Sequence, residues 1–176
     1  MKTFLSAAAA LALVGATAPA FAAVNDTSAT ANVTAKIIRP ISVTKNHDLE
    51  FGTIVRPSAG TSVVSVDTAG VRGITGGDAV ALATTTPAAA QFTIKGEGNQ
   101  SVTVEVPASF NLTGPSTIAV ATSNDLPGGT ALQTLGGTLG SDSPDLVVKV
   151  GGSFSVTTST NTGDYIGSFQ VRAYYN

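Results

Sequence analysis

The chain is predicted to fold as an all-β sandwich, and three observations predict it. Short runs rich in Val, Ile, Thr and Phe alternate apolar and polar residues at period two. Gly, Pro, Asn and Asp separate these runs at short intervals. Beyond residue 22 no stretch carries the 3.6-residue period of an amphipathic helix, and no unit repeats at a fixed spacing. Charged residues make up only 11% of the chain, about half the usual share. That low charge comes with abundant β-branched residues, whereas disordered segments combine low hydrophobicity with high charge.

Residues 1–22 read as a secretory signal: Met1-Lys2-Thr3 opens with a positive charge, Phe4 to Val14 is apolar, and Ala20-Phe21-Ala22 is a small-x-small cleavage site. The apolar run is too short and too rich in alanine to span a bilayer, so the expectation is an exported protein with no membrane span in the mature chain. Residues 23–40 form an N-terminal extension and 41–176 a single domain. With no cysteine, the domain has neither a disulfide nor thiolate chemistry and must be held by sheet packing. Nine basic and 11 acidic residues, with no basic cluster, argue against nucleic acid or an anionic membrane surface as partner.

Within the extension, Ala29, Ala31, Val33, Ala35 and Ile37 alternate with polar residues, which predicts an extended strand with small apolar side chains. Arg39-Pro40 interrupts it, since proline lacks the N–H that a ladder needs. A strand resumes at Ile41 and Val43. After a turn at 45–48, Leu49, Phe51 and Val55 are expected on one side of the next strand, with Gly52 marking a bulge or a close backbone approach. Strands follow at 63–66, 79–83 and 91–95, the last with Phe92 and Ile94 on one face. Residues 96–100 read as a hairpin connection into 101–106, whose valines share a face. Further strands are expected at 116–122 and 146–150. Gly151-Gly152 is expected to turn the chain before a strand that begins with Phe154 and Val156.

The final stretch, 163–176, reads as one alternating strand with Tyr165, Phe169, Val171, Ala173 and Tyr175 on its apolar face. An exposed edge beside an apolar face invites strand addition, and the candidate partner is the segment Ala29 to Ile37. That segment either pairs within its own domain, or leaves its subunit and fills the groove of the next.

No catalytic, metal or cofactor site is expected. The single histidine, His47, lies in a polar turn and supplies neither a triad nor a metal cluster. Asp142 and Asp145 match no calcium-loop spacing and read as turn residues. There is no nucleophile elbow and no phosphate loop.

Leu49-Glu50-Phe51-Gly52-Thr53-Ile54, Phe92-Thr93-Ile94-Lys95-Gly96 and the closing Gly163-Asp164-Tyr165 to Tyr175-Asn176 resemble a bacterial secreted family known as domain of unknown function 4402. The order of an alternating N-terminal segment, a Leu-x-Phe-Gly strand and a closing aromatic strand is also similar to the pilins of archaic chaperone-usher fimbriae. That second resemblance implies an immunoglobulin-like sandwich lacking its last strand, which the donor strand of a neighbouring copy or related pilin supplies. It also implies a periplasmic chaperone, an outer-membrane usher and a place in a filament at the cell surface. The absence of cysteine departs from many such pilins, which carry a disulfide near the first strand. The alternative is a self-contained secreted β-sandwich that binds carbohydrate or associates with the cell envelope.

Overall fold

In order along the chain, the strands are β1 (Ser42–His47), β2 (Ile54–Val55), β3 (Thr61–Val66), β4 (Arg72–Thr75), β5 (Val80–Ala81), β6 (Ala90–Lys95) and β7 (Ser101–Glu105). They continue as β8 (Ser109–Thr113), β9 (Thr117–Asn124), β10 (Leu132–Thr134), β11 (Leu146–Thr157), β12 (Ile166–Gly167) and β13 (Arg172–Tyr175). This computed structural model describes residues 27–176; the expected signal, 1–22, and the start of the extension lie outside them. The chain divides into two units, residues 1–35 and 36–176. In the first unit, residues 27–35 are exposed and carry no strand assignment. Among the described residues no helix is long and apolar enough to cross a membrane.

The second unit is all-β, with curled antiparallel sheets. The larger sheet has the order β1-β6-β11-β9-β8-β12, with β3 also on β11 and β4 on β3. The smaller has the order β10-β7-β13, and β2 pairs with β5 in a separate two-stranded ribbon. Burial follows the period-two pattern that placed the strands. Phe92 and Ile94 of β6, Val102 and Val104 of β7, and Val148 and Val150 of β11 form one core between the sheets.

Several expectations are corrected. Residues 96–100 are not a hairpin: β6 and β7 belong to different sheets, and the loop carries the chain across the core. Gly151-Gly152 does not turn the chain, since β11 runs unbroken from Leu146 to Thr157. It pairs there with β6, then β3, and with β9 across the change-over. Glycine is needed because a Cβ at 151 would overlap the Val66 carbonyl oxygen. Gly151→Ala is therefore expected to cost about 1–3 kcal/mol as an overpacked site, seen as a lower denaturant midpoint at unchanged slope.

The strand expected over 49–55 is mostly irregular, with Ile54 rather than Val55 turned inward. Gly52 takes a positive φ of 72°, and that single left-handed residue shifts the parity of Ile54 and Val55 after it. The close approach foreseen there is present, because a Cβ at 52 would run into Arg72 and Thr85. Strands β4, β8 and β10 are additional to those expected.

Candidate functional site

Among the described residues the first and last strands of the domain each keep one unpaired edge: β1 bonds only to β6 and β13 only to β7, although the two approach within 8 Å between Cα atoms. One end of the gap between them is tied shut. The Tyr175 hydroxyl donates to the Arg39 carbonyl at 3.0 Å and accepts from the Glu97 amide at 2.7 Å. The other end leads to an open cleft of about 1060 Å³ between residues 45–56 and 160–169.

The floor of the cleft is built by inward positions of strands from the larger sheet. Phe92 comes from β6, Phe110 and Leu112 from β8, Ile118 from β9, and Phe154 from β11. Phe51 meets Phe154 edge to face at 4.8 Å between centroids. Phe169 stands 5.9 Å from Phe92 and 5.0 Å from Phe110, distances at which aromatic pairs attract. The arrangement presents an apolar trough beside the free edge of β1, whose Lys45 and His47 line it.

The residues expected to border this groove do not form one strand. Residues 166–167 bond to β8 in the larger sheet, and 172–175 bond to β7 in the smaller. The chain changes sheets between them. Alternation nevertheless persists: Phe169, Val171, Ala173 and Tyr175 are half-buried against the core, while Gln170, Arg172 and Tyr174 are exposed. Tyr165 lies over the β8–β9 turn, where it also lines the cleft. There its hydroxyl donates to the Asn161 carbonyl at 2.7 Å and meets the Ser116 hydroxyl at 2.8 Å.

The expected donor residues Ala29, Ala31, Val33, Ala35 and Ile37 are all exposed, Val33 at 91% and Ile37 at 94%. Sequence reasoning missed Arg39 and Glu97. Glu97 is 2% exposed, and its carboxylate accepts from the Gly140 amide and from both the backbone and the guanidinium of Arg39. Those bonds, the Gly140 one foremost, hold its pKa below the ordinary glutamate value. Arg39 also reaches Asp142 at 2.9 Å. Asp145 pairs with Lys95 at 2.9 Å, so each aspartate of that loop faces its own cation. Among the described residues no three His, Cys, Asp or Glu side chains gather into a metal-binding group.

No curated protein and no solved structure matches the chain. The model of the family described as a domain of unknown function, DUF4402, matches residues 41–175, nearly all of the β-sandwich unit, and the chain belongs to that family.

Proposed function

We propose that this protein is a structural subunit of a bacterial surface filament, exported through the periplasm and polymerised by donor-strand exchange. A periplasmic chaperone would hold the incomplete sandwich, and an outer-membrane usher would join it to the next copy or to a related pilin. The observation that carries this reading is the pair of edges on β1 and β13 that are unpaired among the described residues, with an apolar-floored cleft opening beside β1. The extension supplies a matching segment. Val33 and Ile37 are almost fully exposed, so a partner that covers them removes two large aliphatic side chains from water.

Burial of Val33 and Ile37 is worth about 1.5–3 kcal/mol each, and of the three alanines less. A durable filament then needs the backbone ladder and a high barrier to strand withdrawal, so its persistence is kinetic. Removal of residues 23–37 tests the reading. The shortened chain is expected to remain folded and chaperone-bound yet form no filaments under electron microscopy. Filaments assembled without that segment would overturn the proposal.

A further inference from the structure

The residues just before β1 are fastened far more firmly than an exposed lead-in requires. Arg39 has both backbone groups engaged, its amide by Glu97 and its carbonyl by the Tyr175 hydroxyl. Its guanidinium bonds to Glu97, to the Gly140 carbonyl at 3.1 Å and to Asp142. Three residues earlier, the Lys36 ammonium donates to the Gln100 side chain at 2.8 Å. Ile38 is half-buried although Ile37 beside it is exposed. Pro40 fixes one more backbone angle. Gly96 leaves the space that Tyr175 occupies, since a Cβ there would overlap the phenol oxygen.

We propose that Arg39, Glu97 and Tyr175 act as positioning residues, holding 36–40 as part of the rigid domain so that freedom of movement begins only before Lys36. The second half of the inference rests on the filament reading: with the lead-in immobilised, the joint between successive subunits is short and the filament stiff. Tyr175 is the hinge of the argument. It belongs to the strand that borders the incoming segment and also grips the base of the outgoing one, so both joints of a subunit meet at one phenol.

Two measurements separate the halves. Backbone relaxation of the full exported chain as a monomer should give Lys36 to Arg39 order parameters near those of the strands, about 0.85, with values falling below about 0.6 toward Thr27. Tyr175→Phe removes only a hydroxyl and should lower the order at Ile38 and Arg39. Arg39→Ala should lower it further, and Arg39→Lys, which keeps the charge but not the forked geometry, should fall between. Order in 36–39 no higher than in 27–35 of the unmodified protein would overturn the anchor, whether or not filaments form.

In filaments, Arg39→Ala, which lies outside both the groove and the incoming segment, should shorten the persistence length measured on micrographs at least threefold. Filaments as straight as the unmodified ones would overturn the stiffness claim. Absence of filaments from the unmodified protein would instead count against the assembly reading and against a filament stiffened by this anchor, leaving the relaxation data to judge the anchor alone.

Discussion

A second copy of residues 23–37, appended after Asn176 through a short flexible turn, is expected to raise the thermal midpoint and stop polymerisation in one step. Asn176 follows β13 at the end of the groove where Tyr175 meets Arg39. A strand that turns back there runs antiparallel to β13, the arrangement that a tight connection permits. Side-chain burial contributes roughly 5–8 kcal/mol before the cost of ordering the segment. A net 2 kcal/mol would already lift the midpoint by about 4–8 °C in a domain of this size.

The gain should vanish when the appended copy carries Val33→Asp and Ile37→Asp, and polymerisation should return because the native extension is intact. A midpoint that does not move, with filaments still forming, would mean that the gap beside β13 does not accept this segment.

The largest loss from a single side chain is expected at Ile94. It is fully buried, and it sits opposite Val43 of β1 on one side and Leu146 of β11 on the other. Ile94→Ala should cost about 2–5 kcal/mol, the removed methyl groups plus the void they leave. Against a total of about 5–15 kcal/mol for a typical domain, that is a midpoint lowered by roughly 4–20 °C. Val43→Ala offers the contrast, because Val43 is 36% exposed on a half-open edge and should cost less than about 1 kcal/mol. Equal losses at the two sites, measured by denaturant titration, would show that the core does not centre on β6.

Where a strand lies on the core, its side-chain parity was legible from residue types alone, because period-two alternation is the same whichever strand it pairs with. Ile94, Val102, Val104 and Val148 all point inward as the pattern requires. The pairing was not legible. Gly96 to Gln100 has the composition of a hairpin, yet the strands it joins lie in different sheets, since nothing local encodes which neighbour a strand will find. Gly151-Gly152 has the composition of a turn but serves a close crossing within one long strand.

Of the groove, the alternating faces of the extension and of the closing strand could be read directly. Most of its floor could not be, because Phe92, Phe110 and Phe154 are 18 and 44 residues apart along the chain and only the fold gathers them. Phe110 and Leu112 did carry a signal, in the plain alternation of Ser109-Phe110-Asn111-Leu112-Thr113. Arg39 and Glu97 carried none, being an isolated cation before a proline and an isolated acid between two glycines.

The closing stretch has one more consequence. The chain has no tryptophan and three tyrosines, and all three, Tyr165, Tyr174 and Tyr175, lie in its last dozen residues. Tyr165 packs over the β8–β9 turn, Tyr174 donates to Glu105 across β7 at 2.9 Å, and Tyr175 closes the groove. Intrinsic tyrosine emission therefore comes from this closing stretch alone. Through Tyr165 the protein carries a built-in optical reporter on the cleft wall, and occupancy of the cleft can be followed without attaching a dye.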